Sequence, residues 1–243
     1  MVKQDAQLLA LAALGDGVRS ALYRFVRRQN RPVTREEAAQ AVRISVKLAA
    51  FHLDKLVERG LLRADQEVPQ GVRRRVGRAP KRYSVSDLEV SVSLPERHYE
   101  LAGEILVDSL ARAGTEPGGG RPAEVARRVA GERGWHLGAG VRERRRLGRP
   151  GPERTVAVAE DLLDQLGYEP AGDDHGGLVL RNCPFHALAR RQPELVCSLN
   201  AAFVDGMLRG LGNETVRADL RPEPGMCCVC VRPPGPRAGP GPG

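Results

Sequence analysis

Cysteine is absent from the first 182 residues of this 243-residue chain, and all five cysteines lie between Cys183 and Cys230. Aromatic residues make up only 4% of the sequence, and the basic part shows no aromatic platform on which single-stranded RNA bases would stack. No apolar run reaches the length that spans a bilayer, and the N-terminus lacks the pattern of a cleaved signal peptide. These absences favour a cytoplasmic protein with no membrane partner.

Positive charge is concentrated in the first third of the chain. Residues 1–84 contain 18 Lys and Arg against 8 Asp and Glu, whereas the remaining residues contain 20 against 22. The whole basic excess therefore lies in one region, which favours nucleic acid as a partner of that region. The alternative interpretation is that the excess Lys and Arg residues form a solvent-exposed basic face without a binding role.

Local signals in the same region predict two short helices in succession. Thr34 and Glu37 fit a capping box, which begins a helix ending near Val42. Ser45 is an N-cap candidate for the next helix, and Gly60 is suited to its C-terminal end. Apolar residues at helical spacing predict a buried stripe on this second helix; they are Ala49, Leu53, Leu56 and Val57. The pattern is typical of a helix-turn-helix.

The candidate DNA-binding residues form two groups. The first group lies on the second helix, whose exposed N-terminal part would enter the major groove; it comprises Ser45, Lys47, Phe51, His52 and Lys55. The second group lies in a predicted hairpin, between strands near residues 61–64 and 81–85, and suits phosphate or minor-groove contacts. It comprises Arg73, Arg74, Arg75, Arg78, Lys81 and Arg82.

Residues 10–90 resemble the winged-helix domain of ArsR/DeoR-type bacterial repressors. The resemblance lies in the run SVKLAAFHLDKLVERGLL at 45–62 and in GRAPKRY at 77–83. It implies a winged helix-turn-helix fold and binding to an operator in double-stranded DNA. A palindromic operator would in turn call for a homodimer.

The rest of the chain predicts an α+β arrangement. Residues 94–113 are expected to form a linking helix with Pro95 in its first turn, which either joins two subunits or packs within one. After a Gly-rich linker, residues 121–231 are expected to form a second α+β domain, and residues 232–243 a disordered tail. Within that domain, 134–152 shows no helical period, and Trp135 is interpreted as a packing residue.

The cysteines are placed near the ends of predicted elements. Cys183 follows a predicted strand, and Cys197 lies in the first turns of a helix beginning near Pro193. Cys227, Cys228 and Cys230 are expected on the last strand, with Cys228 and Cys230 on one face. Because cytosolic chains rarely use disulfides, the open roles are metal or cluster ligands, redox thiols, and buried small hydrophobes.

The spacing of the cysteines differs from the ligand spacing of a zinc finger. Thirteen residues separate Cys183 from Cys197, and twenty-nine separate Cys197 from Cys227, so a folded domain would have to bring them together. Three thiolates suit an iron–sulfur cluster with an exchangeable fourth ligand, whereas zinc would take His186 as well. Cys183 and His186 also suggest a thiol enzyme, but no orienting acid follows them, so we do not expect an enzyme.

The cysteine region resembles the sensor domain of SufR-type repressors, which bind an iron–sulfur cluster. The resemblance covers residues 155–231 and lies in NCPFHALA at 182–189, PELVC at 193–197 and GMC at 225–227. It implies that Cys183, Cys197 and Cys227 are the ligands, with Cys228 as an alternative third ligand. The expected function is a DNA-binding regulator, a repressor in type, controlled by that cluster. The alternative is a regulator that senses zinc or a small organic effector while its cysteines are structural.

Overall fold

The computed structural model describes residues 2–65, 81–114, 121–223 and 225–234. Arg73, Arg74, Arg75 and Arg78 lie outside these residues, as does most of the expected C-terminal tail. The chain divides into two compact units, residues 1–92 and 93–243. Helices and strands occur in both units, which confirms the α+β class.

The first unit packs helices against a small antiparallel sheet. Its elements are α1 (Val2–Ala13), α2 (Gly17–Arg28), β1 (Val33–Thr34), α3 (Arg35–Val42), α4 (Val46–Glu58), β2 (Leu62–Asp65) and β3 (Arg82–Val85). The strands are ordered β1-β3-β2, and Tyr83 of β3 pairs with Val33 on one side and Ala64 on the other. Leu22, Leu53 and Leu56 are fully buried in the core. The sequence predicted α3, α4, β2 and β3 in this order, but not β1.

Local capping explains where the helices of this unit begin and end. The Thr34 hydroxyl accepts from the Glu37 amide at 3.2 Å, and the Glu37 carboxylate accepts from the Thr34 amide at 2.7 Å. Both halves of the predicted capping box are therefore present. Gly60 follows the end of α4 with a φ of 72°, a left-handed conformation that glycine adopts without steric cost.

The second unit packs five described helices with a four-stranded sheet, and several of these elements differ in their bounds from the expectation. Its described elements are α5 (Tyr99–Ala113), α6 (Pro122–Arg144), α7 (Pro152–Gln165), β4 (Pro170–Gly172), β5 (Leu178–Leu180), α8 (His186–Arg191), α9 (Pro193–Gly210), β6 (Arg217–Leu220) and β7 (Val229–Arg232). The sheet is antiparallel in the order β4-β5-β7-β6. Its core includes Leu163, Leu178, Met207 and Val231.

Three expectations for this unit are wrong in their bounds. The helix expected at 94–113 begins at Tyr99, so Pro95 is not in its first turn. The stretch from Gly134 onward is not irregular, because α6 continues to Arg144. The last strand begins at Val229, so Cys227 and Cys228 precede it and only Cys230 lies within it. Within the described residues, no helix is both long and apolar enough to cross a membrane.

The glycines of α6 have a packing role, which explains why a stretch without a helical period in its sequence is helical. A Cβ on Gly134 would overlap the backbone carbonyl oxygen of Phe203, and a Cβ on Gly138 would overlap that of Met207. On the facing helix α9, Gly206 and Gly210 meet the backbone of α6 in the same way. These glycines let two helix backbones touch, and the packing gained offsets the low helix propensity of glycine.

We expect Gly134→Ala to lower the free energy of unfolding of the protein by about 1–3 kcal/mol, because the added methyl group forces α6 and α9 apart. Gly103→Ala is the matched control, since Gly103 lies inside α5 with open space around it. That variant should be stabilised by roughly 0.5–1 kcal/mol through reduced unfolded-state entropy. Chemical denaturation measures both. Equal effects of the two substitutions would contradict the close-approach explanation.

Candidate functional site

The exposed face of α4 is the candidate site in the first unit. The Ser45 hydroxyl accepts from the Leu48 amide at 3.2 Å and begins the helix. Ala49, Leu53 and Leu56 are fully buried, which confirms the predicted core stripe except for the half-buried Val57. The residues left exposed at the start of the helix are Ser45, Val46, Lys47, Leu48 and Phe51.

His52 does not lie on this exposed face. Its side chain is only 8% exposed, and the buried Nδ1 atom has no hydrogen-bond partner among the described residues. The prediction that His52 is available to DNA is therefore not supported by its position. Ala49, His52, Leu53 and Leu56 follow the i, i+3, i+4, i+7 spacing of a buried helical stripe, so the stripe is wider than predicted. His52 packs edge-on against Phe51 at 5.2 Å between ring centroids.

Two lysines of the predicted DNA-binding set are held in ion pairs. Lys55 lies 2.8 Å from the Glu58 carboxylate, and Lys81 lies 3.0 Å from that of Asp54. The Tyr83 hydroxyl also donates to Asp54, at 2.9 Å. Burial, followed by this hydrogen bond, raises the pKa of Tyr83 well above its ordinary value. Asp54 thus connects α4 to β3. Arg82, on β3, pairs in register with Thr34 and Asp65.

The second unit brings four of its five cysteines into two pairs. Cys197, in the second turn of α9, forms a disulfide with Cys228, with 6.3 Å between their Cα atoms. Cys227 and Cys183 form a hydrogen-bonded thiol pair. Because Cys227 and Cys228 are consecutive, the two pairs are neighbours. We refer to Cys183, Cys197, Cys227 and Cys228 as the thiol cluster.

The disulfide corrects the expectation that this chain uses none. Cys197 and Cys228 are 31 residues apart in sequence, and their Cα separation lies within the range that a disulfide can bridge. A sulfur in a disulfide cannot act as a thiolate ligand. Among the described residues, no group of three His, Cys, Asp or Glu side chains is arranged to hold a metal ion. His186 is exposed at the start of α8, and its backbone amide donates to the Cys183 carbonyl oxygen at 3.0 Å.

Cys230 lies apart from the cluster. Its side chain is buried in β7, and its Sγ atom lies 3.6 Å from the Asp219 carbonyl oxygen on the paired strand β6. It therefore behaves as a packed hydrophobic residue, which was one of the alternatives for a free cysteine.

The two thiols of the free pair have opposite pKa shifts. The hydrogen bond from Cys227 lowers the pKa of Cys183 to about 7, assisted by the Phe185 amide and the positive charge of Arg97, although burial opposes the shift. The same hydrogen bond, with burial, raises the pKa of Cys227. When the pair loses a proton, the remaining proton is therefore favoured on Cys227 and the negative charge on the half-buried Cys183.

Several supporting residues were missed by sequence reasoning. Asn200 of α9 donates to the Cys227 sulfur at 3.3 Å and accepts from the Tyr168 hydroxyl at 2.5 Å. Arg97 donates to the Cys183 carbonyl oxygen at 3.1 Å and also contacts the side chain of Asn182. The Cys227 amide donates to the Leu180 carbonyl oxygen at 2.9 Å, which ties the residues before β7 to the end of β5. No local sequence pattern marks this network, because its hydrogen bonds join residues far apart in the sequence.

Comparison of the sequence with protein-family models, with curated proteins and with solved structures finds no match in any of the three.

We expect Cys227→Ala to raise the pKa of Cys183, because the variant loses the donor that stabilises the Cys183 thiolate. At neutral pH about half of Cys183 is ionised when its pKa is about 7, against a few per cent for an ordinary thiol. The pH dependence of alkylation of Cys183 by iodoacetamide, followed by peptide mass spectrometry, measures the midpoint. Cys230→Ala is the control and should leave the midpoint unchanged. An unchanged midpoint in Cys227→Ala would show that another group holds the thiolate.

Proposed function

We propose that the protein is a DNA-binding transcriptional regulator, a repressor of the winged helix-turn-helix type, in which α4 reads the major groove. The observation that carries this proposal is the division of α4 into a fully buried stripe and an exposed N-terminal face, immediately after the capped helix α3. A helix in this position, followed by two antiparallel strands, is what the winged arrangement requires. The basic excess of the same region supplies the attraction to phosphates.

Each half of the candidate interface has a different role in this proposal. Ser45, Lys47 and Phe51 of α4 contact base edges, since they are exposed at the end of the helix that enters the groove. Arg73, Arg74, Arg75 and Arg78, together with Arg82, contact the phosphate backbone or the minor groove. Lys55 and Lys81 take part only if DNA displaces the acids with which they are paired. We further propose a homodimer, for which the exposed Val107 and Leu110 of α5 offer an apolar surface.

A duplex selected in vitro from a random library by the protein would test the DNA-binding proposal. Lys47→Ala and Phe51→Ala should each weaken binding to the selected duplex by about fivefold or more, equivalent to about 1 kcal/mol. Arg24→Ala is the matched control, because Arg24 is exposed on α2 rather than on α4. It should change the dissociation constant less than twofold. Fluorescence anisotropy on the labelled duplex measures all four proteins.

The salt dependence of binding gives a second check. With about six phosphates neutralised, the logarithm of the association constant should fall against the logarithm of salt concentration with a slope of roughly −5. Failure to enrich any duplex, or equal losses in the α4 variants and in Arg24→Ala, would overturn the proposal.

We also propose that the thiol cluster of the second unit controls DNA binding. The donors fit an iron–sulfur cluster in kind, because the implied ligands Cys183, Cys197 and Cys227 all carry thiols, although the described structure does not arrange these three to hold a metal ion. They fit it only when the Cys197–Cys228 disulfide is reduced, since Cys197 is otherwise bonded. When bound, the cluster would supply a redox-sensitive link between the three element ends. Zinc, held by the same thiolates, is the alternative.

The protein's own residues make the cluster sensitive to its surroundings. Cys183 is half-buried and carries a lowered pKa, so it is the thiolate available to a metal or an oxidant at neutral pH. Asn200 holds Cys227 from α9, the helix that also carries Cys197. Control of DNA binding requires that the reduced, loaded protein and the disulfide form differ in DNA affinity.

Anaerobic reduction followed by incubation with ferrous iron and sulfide tests this second proposal. We expect the reduced protein to retain iron and sulfide and to absorb visible light, and the unreduced protein to retain neither. Cys183→Ser and Cys197→Ser should lose the bound iron, whereas Cys230→Ser, outside the thiol cluster, should keep it. A tenfold difference in DNA affinity between the two forms corresponds to about 1.4 kcal/mol of coupling. A colourless, iron-free protein after reduction would refute the cluster, and zinc analysis of the same sample tests the alternative.

A further inference from the structure

A groove of about 420 Å³ lies along α6 and α9 of the second unit. Its size is within the range of pockets that bind small molecules. Trp135, the single tryptophan of the chain, lines it with 43% of its side chain exposed. The interpretation of Trp135 as a packing residue is therefore wrong, because its ring is half open to solvent on a regular helix.

The groove exists because small residues form its floor. Arg127, Gly131 and Trp135 follow one another at a spacing of four along α6, so they share a face of that helix. Gly131 and Ala202 of α9 leave the space between the larger side chains unfilled. Open space beside an exposed indole at this point is a consequence of the close contact between α6 and α9.

The charged side chains of the groove leave a positive surplus. The Glu132 carboxylate lies 2.5 Å from Arg112, and the Asp205 carboxylate lies 3.1 Å from Arg209 and 3.8 Å from Arg217. Both acids of the groove are thus already neutralised. Arg127 is exposed, and no carboxylate of the described residues lies within ion-pair distance of it. A guanidinium without an acid, close to an exposed indole, suits an anion that also carries a flat ring.

The indole of Trp135 has an aromatic neighbour. His136 packs edge-on against Trp135, with 5.1 Å between the ring centroids and an interplanar angle of 80°. Contact with a second ring limits the motion of the indole, so stacking on it costs less conformational entropy than stacking on a freely rotating side chain. Aromatic stacking contributes about 0.5–1.5 kcal/mol beyond the area buried.

We propose that this groove binds a small planar aromatic anion, with its ring against Trp135 and its charged group paired with Arg127. An aromatic carboxylate and a nucleotide share this chemistry. The site lies outside the thiol cluster, and its test does not require that the first unit binds DNA. It therefore goes beyond the proposed function and supplies a place for an organic effector.

Intrinsic fluorescence tests the proposal directly, because every tryptophan photon comes from Trp135. Benzoate and adenosine monophosphate are the two probes, and cyclohexanecarboxylate and adenosine are the matched compounds that lack the ring or the charge. We expect saturable quenching by at least one probe with a dissociation constant of about 1 mM or lower. Binding of benzoate alone would assign an aromatic acid, binding of the nucleotide alone would assign a nucleotide, and binding of both would assign the shared chemistry.

Variants connect the signal to the groove. Arg127→Ala should weaken binding of the active probe about tenfold or more, and Trp135→Leu, followed by calorimetry, should abolish it. Arg190→Ala, exposed on α8 and outside the groove, should leave the dissociation constant unchanged. Circular dichroism shows whether each variant is folded. The proposal is overturned if neither probe saturates, if the matched compounds bind as well, or if Arg127→Ala binds as the unaltered protein does.

Discussion

Backbone contact between α6 and α9 is the constraint on which the second unit depends. Ordinary helix pairs are held apart by their side chains, at about 8–10 Å between axes. Here the glycines of both helices remove that spacing, and carbonyl oxygens of one helix face the Cα atoms of the other. The approach sets the position of α9, which carries Cys197 and Asn200 into the thiol cluster. It also leaves open space at the floor of the groove that Trp135 lines. The close packing of α6 and α9 therefore shapes both the thiol cluster and this groove.

The two cysteine pairs of the thiol cluster are linked through the backbone. Cys227 and Cys228 are neighbours, yet Cys227 is paired with Cys183 and Cys228 with Cys197. A peptide bond thus joins the two pairs, and α9 holds both through Cys197 and Asn200. Any change in one pair that moves this peptide alters the geometry of the other. Reduction of the disulfide would release the Cys228 end of this peptide from α9, although it breaks no bond to Cys183.

What the sequence predicted well was local, and what it missed depended on distant partners. The Thr34 capping box, the Ser45 cap and the end of α4 at Gly60 each depend on residues within a few positions, and all three are present. The Gly-rich stretch from Gly134 showed no helical period, because the contacts that explain its glycines lie about seventy residues away on α9. Arg97 and Asn182 interact across 85 residues, and no local pattern indicates such a contact.

For the cysteines, too, local features could be predicted from the sequence and long-range contacts could not. Their placement near element ends was predictable, because strands and helices are recognised locally. Their connectivity was not, since five thiols can form two pairs in fifteen ways and sequence alone does not choose among them. The burial of His52 is different, because it was available from the sequence. Its i+3 spacing from Ala49 places it on the core stripe, and that periodicity outweighs the polarity of the imidazole.

The composition of the α4 face refines what the proposed DNA contact would be. Val46, Leu48 and Phe51 are exposed there, whereas Lys55 is paired with Glu58 and His52 is buried. A face with three apolar side chains and the single cation Lys47 has little to offer phosphates, but apolar groups contact the methyl group of thymine. Base discrimination and phosphate affinity are then divided between two parts of the unit. Under this proposal, affinity would come mainly from the arginines between β2 and β3, and the region that attracts DNA would differ from the region that selects the sequence.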